Sequence, residues 1–125
     1  TSNPGAIFIQ DNNKDKEPLY KKIIQISHDL NYNDNIGLVV GATKVNNMLE
    51  IRKISNGLPW LIPGVGAQGG DLINSVNISN NKGIGIINIS RSILYPKTGK
   101  IDDVIQSALS YTKQIRKIKC KLSIY

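Results

Sequence analysis

Three short stretches of the chain are apolar without alternation: Ile36-Gly-Leu-Val-Val-Gly41, Leu58-Pro-Trp-Leu-Ile-Pro63 and Ile84-Gly-Ile-Ile-Asn-Ile89. Strands covered on both faces read this way, so each run predicts a buried strand of a parallel sheet. Each ends in small or polar residues, Gly41-Ala-Thr43, Gly64-Val-Gly66 and Ser90-Arg91, and each is followed by a polar stretch with helical spacing. Leu19, Ile23, Ile26 and Leu30 predict an amphipathic helix over 18–31, with Pro18 in its first turn. Val45, Met48, Leu49 and Arg52 predict a second helix, capped by Thr43. Leu72, Ile73 and Val76 predict a shorter one after Gly69-Gly70-Asp71. The clearest helix runs from Ile101 to about Lys117 through Val104, Ile105, Ala108, Tyr111, Thr112 and Ile115.

The strand ends marked by Gly41, Gly64 and Ser90 fall 23 and 26 residues apart, the length of a strand-loop-helix unit. Such a repeat implies right-handed crossovers and a parallel sheet. The opening Thr1-Ser-Asn-Pro-Gly5 reads as one more loop at a strand's carboxyl end. The expected layout is therefore the tail of a strand and a helix, followed by three strand-helix units. Three strands cannot close a cylinder, and a (β/α)8 barrel needs at least about 200 residues. With 125 residues, the arithmetic is that of half a TIM barrel, an α/β fold of parallel strands and alternating helices. A free-standing open sheet is the alternative, although three parallel strands would be unusually few.

Composition leaves that picture intact. A content of 40% hydrophobic and 20% charged residues is ordinary for a soluble domain. No apolar run approaches the roughly 18 residues of a membrane span, and no secretory leader is expected. A lone Cys120 excludes an internal disulfide and fits a reducing compartment. The first residues, Thr-Ser-Asn-Pro without an initiator methionine, read as a cut end within something longer. The net charge of +7 is uneven. Residues 112–125 hold five basic side chains (Lys113, Arg116, Lys117, Lys119, Lys121) and no acidic one; the other 111 residues carry 11 basic and 9 acidic. The excess sits at the end of a helix and in a tail, where it opposes the negative end of the helix dipole. Neither nucleic acid nor a membrane is an expected partner, since a phosphate-backbone groove needs its cations on one face beside stacking groups.

Candidate chemistry gathers in two places. Pro63-Gly-Val-Gly-Ala-Gln-Gly-Gly-Asp71 follows a predicted strand directly. Its glycines let backbone N–H groups approach an anion, and the helix after it could aim its positive end at the same point. It is neither a dinucleotide fingerprint nor a P-loop: no acidic residue ends a later strand at the right distance, and no lysine follows. One unit on, Arg91 stands at a strand exit, where a guanidinium calls for a bidentate anion or a neighbouring carboxylate. Two successive strand ends, one offering amides and one an arginine, point to a phosphorylated ligand. His28, off the apolar face of its helix, reads as a surface residue, Trp60 as core, and Cys120 as neither ligand nor nucleophile. Asp11-Asn-Asn-Lys-Asp-Lys-Glu17 reads as a solvated loop. No metal cluster or catalytic triad is present in the pattern.

These segments carry a resemblance. Thr1-Ser-Asn-Pro-Gly5, Gly37-Leu-Val-Val-Gly-Ala-Thr43, Leu61-Ile-Pro-Gly-Val-Gly-Ala-Gln-Gly-Gly-Asp71 and Ile87-Asn-Ile-Ser-Arg-Ser-Ile-Leu-Tyr95 resemble, in order and spacing, the C-terminal half of orotidine 5′-phosphate decarboxylases of the bacterial type. The nine residues 63–71 together with the downstream Ser-Arg are the specific part. The resemblance implies the C-terminal half of a TIM barrel in a cytoplasmic, homodimeric carbon–carbon lyase. That enzyme converts orotidine monophosphate to uridine monophosphate and carbon dioxide, the last step of pyrimidine synthesis, without cofactor or metal. Position by position, it implies that Ser2 contacts the pyrimidine amide and that Pro63 and Gly64 lead into a mobile phosphate-gripping loop. It further implies that Gln68 bridges phosphate and pyrimidine, and that Ser90 and Arg91 bind the phosphate through backbone N–H and guanidinium. Val39, Val40 and Ile62 become barrel-core residues near the pyrimidine. The family's Asp-x-Lys-x-x-Asp array, whose lysine protonates C6 as carbon dioxide leaves, has no counterpart here. It is expected in an N-terminal half, leaving no catalytic residue in these 125. A noncatalytic phosphate- or nucleotide-binding half-barrel is the alternative, and a related barrel enzyme with another phosphorylated substrate a third reading, disfavoured by Gln68.

Overall fold

The structure, a computed structural model, describes Gly5, residues 17–96 and residues 98–122. Along them run α1 (Leu19–Leu30), β1 (Leu38–Val39), α2 (Val45–Ile54), β2 (Trp60–Ile62), α3 (Leu72–Ser79), β3 (Gly85–Ile87), α4 (Arg91–Leu94) and α5 (Ile101–Leu122). The strands form one parallel sheet in the order β1-β2-β3, with Leu38 beside Trp60, Leu61 beside Val39 and Ile86, and Ile62 beside Ile87. This is the alternating α/β layout that the spacing predicts. The strands are shorter than the apolar runs because Pro59 and Pro63 bracket β2 and bring no N–H to the ladder. Single bonds extend the pairing, Ala42 N–H to Pro63 O and Asn88 N–H to Ile62 O at 2.9 and 3.0 Å.

One face of the sheet packs on the helices. Trp60 and Ile62 are buried there with Val40, Ala42, Met48, Val65 and Ile78. The other face is open. Val39 is 72% exposed, Leu61 41% and Ile86 59%, and the register aligns the three in one row. Val40 and Ile62 are packed in the core on the helix-covered face, while the β pleat turns Val39 to the opposite face of the sheet. The runs are thus apolar on both faces, while among the described residues the core packs on only one of them.

The helices repeat the lesson. On α1, Ile24 is buried, whereas Ile23, Ile26 and Leu30 of the predicted core stripe are exposed. On α5, Val104, Ala108, Tyr111 and Ile115 are half-buried, and Ile101, Ile105 and Leu109 are exposed. That helix continues to Leu122, beyond the expected end. Helix α2 starts one residue later than Thr43 requires: Lys44 holds the N-cap position and no side chain caps it. His28 is half-buried, its Nε2 3.2 Å from the Ile54 carbonyl at the end of α2. Cys120 is exposed.

Candidate functional site

The segment between β2 and α3 folds back on itself. Gly70 N–H donates to Gly64 O at 3.0 Å and Gly69 N–H to Gly66 O at 2.8 Å, leaving Ala67 and Gln68 at the tip of a tight turn. Gly70 has to be glycine: a Cβ there would fall 2.5 Å from the Gly64 carbonyl oxygen and 2.6 Å from the Ala42 side chain. The Gln68 side chain returns over the turn, its Oε1 close to Gly64. Beyond β3, the chain passes through Asn88 and Ser90 into α4, whose first residue is Arg91.

Five of the six residues expected at the site come together. Pro63, Gly64, Gln68, Ser90 and Arg91, with Val65, Ala67 and Asn88, line one small pocket of about 50 Å³. The sixth, Ser2, lies outside the described residues, as do Thr1–Pro4 of the opening loop and most of the Asp11–Glu17 segment. Asn88 was visible in the sequence as the one polar residue interrupting an apolar strand, yet the pattern alone gave it no role. A second cavity of about 330 Å³ adjoins the first, sharing Pro63 and Gln68 and extending past Val39, Gly41, Thr43 and Lys44. Larger, shallower clefts lie between α1 and α2 (about 460 Å³) and beside α3 (about 470 Å³), and neither holds a candidate residue. Size does not select the site; the convergence of polar groups does.

The pocket is electropositive. Among the described residues that line it, Arg91 alone is charged and no carboxylate is present. Arg91 is exposed rather than enclosed, so solvent rather than a partner meets its charge, and the desolvation argument for an anion does not hold at this position. The alternative of a structural ion pair is not seen either: among the described residues the one salt bridge joins Lys21 to Glu50, on α1 and α2, at 2.9 Å. That pairing raises the Lys21 pKa and lowers that of Glu50, far from the pocket.

Two anion-attracting features of the sequence reading are changed. The amides of Gly69 and Gly70 are spent within the loop. The N-terminus of α3 is occupied by its own cap, since the Asp71 carboxylate accepts from Asn74 N–H at 2.9 Å. Any anion here is left with Arg91, the Gln68, Asn88 and Ser90 side chains, and the remaining amides of the two loops. Among the described residues, no group of three or more His, Cys, Asp or Glu is placed to hold a metal ion, and no helix is long and apolar enough to cross a membrane.

No family model matches the chain. Curated relatives do. The orotidine 5′-phosphate decarboxylase of Cellvibrio japonicus is 40% identical over 120 residues, which cover 93% of this chain and 43% of the relative. Among solved structures, the OMP decarboxylase of Leishmania donovani aligns with a TM-score of 0.77 at 27% identity, over 93% of this chain and 44% of that one. The orotidine 5′-monophosphate decarboxylase of Methanocaldococcus jannaschii, complexed with the inhibitor BMP, aligns at 0.57 and 28% identity, over 86% of this chain and 44% of that one. The chain spans less than half the length of each. By sequence and by fold, the chain belongs to the orotidine 5′-phosphate decarboxylase family, matching part of its TIM barrel, the C-terminal half.

Proposed function

We propose that the chain supplies the phosphate-gripping half of an orotidine 5′-phosphate decarboxylase. Arg91 and Gln68 grip the phosphate, Ser90 offers its backbone N–H, and Pro63 and Gly64 form the hinge of the closing loop. The observation that carries this reading is the shared pocket: Arg91 and Gln68, 23 positions apart in sequence, line one cavity that no carboxylate of the described residues lines. A dianionic phosphate is the natural guest of a lone guanidinium among neutral hydrogen-bonding groups. The adjoining cavity, which meets the pocket at Pro63 and Gln68, has room for more of a nucleotide.

The grip acts at a distance from the bond that breaks. Binding energy gained on a remote phosphate accelerates chemistry only when it is used to close and order the site. Gln68, at the tip of a glycine-rich turn, is the residue that closure would bring across the ligand. The Lys/Asp array that acts on the ring belongs to the N-terminal half of the barrel, and the family's dimer would complete it. The open row Val39, Leu61 and Ile86 supports that arrangement, being an apolar barrel interior waiting for its remaining strands.

The test is Arg91→Ala in the enzyme with a complete barrel. Loss of a charge-assisted contact predicts a fall in kcat/KM for orotidine monophosphate of about 2 kcal/mol or more, roughly thirtyfold. An unchanged kcat/KM removes the assignment. A half-barrel that only binds would instead take up uridine monophosphate with Arg91-dependent affinity and show no turnover in any complete form.

A further inference from the structure

We propose that Ser92 and Tyr111 are positioning residues for this pocket: their hydroxyls form a seat under the Gly66 turn and so hold Gln68 in place. The proposal rests on the reading of the pocket as a phosphate site. Gly66 has φ +83, and a Cβ built on it would lie 2.5 Å from Ser92 Oγ, 3.1 Å from Ser92 Cβ and 3.1 Å from Tyr111 Oη. The main chain at Gly66 therefore runs directly against both hydroxyls, with no space for a side chain. Ser92 stands in the first turn of α4, next to Arg91, and Tyr111 stands midway along α5. Two elements separated by the 95–100 connection thus converge on one residue of the loop.

What makes the contact matter is the place of Gly66 in the turn. Its carbonyl accepts the Gly69 N–H at 2.8 Å, the bond that closes the turn around Ala67 and Gln68. Fixing Gly66 fixes that bond and with it the origin of the Gln68 side chain. Elsewhere the loop is braced by its own Gly70–Gly64 bond and by the fit of Gly70 against Ala42, on the opposite side. The hydroxyl pair is the support on the Arg91 side. Neither hydroxyl has a hydrogen-bond partner among the described residues, and both side chains are half-buried. They are spare donors and acceptors facing loop peptide groups, able to bond them when the loop settles on an anion. Through Ser92, the same short helix that carries the guanidinium also carries part of the loop's support.

Since the seat acts through the loop, it affects only ligands that the loop grips. In the complete-barrel enzyme, Tyr111→Phe and Ser92→Ala are each expected to raise KM for orotidine monophosphate about three- to tenfold, the size of one neutral hydrogen bond. The double variant should exceed either alone. The ratio of kcat/KM for the nucleotide to that for orotidine, which lacks the phosphate, should fall by the same factor. A merely structural role would lower both substrates alike and leave the ratio fixed, and that result overturns the proposal. So does an unchanged KM in the double variant. Arg91→Ala in the same series separates the two readings. If it costs nucleotide activity while the double variant does not, the seat fails alone; if it costs nothing, the phosphate site fails and the seat with it.

Discussion

Arg52 shows how much a single residue can hold together without touching the site. It is 5% exposed, lies 3.7 Å from the centre of the Trp60 ring, and donates to Leu58 O at 3.0 Å and Ser79 O at 2.8 Å. Burial lowers the pKa of its guanidinium, yet an arginine stays charged through the accessible pH range. Its charge is met by carbonyl dipoles and an aromatic face rather than by a carboxylate. Arg52→Ala would strand both carbonyls and open a gap over Trp60, so urea unfolding should show a loss of about 3 kcal/mol or more. The Trp60 Nε1–H donates to Ser55 Oγ at 3.1 Å in a fully buried setting. Ser55→Ala should therefore cost about 1–3 kcal/mol by the same measurement, and a neutral result would mean that another acceptor takes the indole proton. The helical spacing of Val45, Met48, Leu49 and Arg52 already put this arginine on an apolar face. Its partners were not legible, because Ser79 is 27 positions away and meets it only through the packing of α2, α3 and β2.

At the scale of elements, the segment joining β2 to α3 holds two opposed features within nine residues. Its first part, through Gln68, lines the Arg91 pocket; its last residue, Asp71, brings a carboxylate that caps α3 through Asn74 N–H, with a second bond from Asn74 Nδ2 to Oδ2 at 2.9 Å. Asp71 is absent from the pocket lining, so the cap and the pocket are separable. Asp71→Ala should lower stability by about 1 kcal/mol, read as a shift of the unfolding midpoint, with uridine monophosphate affinity unchanged within about twofold. A large gain in affinity would instead mean that the Asp71 charge reaches the anion. The existence and order of the elements were readable from the switch between continuous apolar runs and a period of three or four. Their ends were not. Thr43 is a good capping residue by type, but its backbone precedes the actual N-cap at Lys44, and a cap is set by local dihedral angles that no periodicity encodes. The pocket was legible for a different reason: Pro63, Gly64, Gln68, Ser90 and Arg91 fall at the carboxyl ends of adjacent parallel strands, which topology alone brings together.

At the scale of the whole molecule, uncovered apolar surface lies on three sides: the sheet row Val39, Leu61 and Ile86, the α1 stripe Ile23, Ile26 and Leu30, and the α5 stripe Ile101, Ile105 and Leu109. The sequence pattern marks all of these but Leu109 as core-like, and it cannot tell a face covered by this chain from one covered by other strands and helices. The half-barrel was legible from counting strands against length; which half of each apolar pattern would stay bare was not. Exposed apolar patches of this kind drive association when nothing covers them. The 125 residues alone should therefore bind a hydrophobic dye such as ANS and self-associate in sedimentation velocity at micromolar concentration. The remaining barrel segment, supplied as a separate polypeptide, should abolish dye binding and give a defined one-to-one particle. Leu61→Gln with Ile86→Gln should weaken self-association of the chain alone, because those two side chains belong to the open row, and should destabilise the completed barrel, where the same positions would be buried. These opposite effects distinguish a barrel interior from a surface patch: a mere patch would lose dye binding with no cost to the complete protein. A chain that is monomeric and silent to the dye would remove the need for a second half.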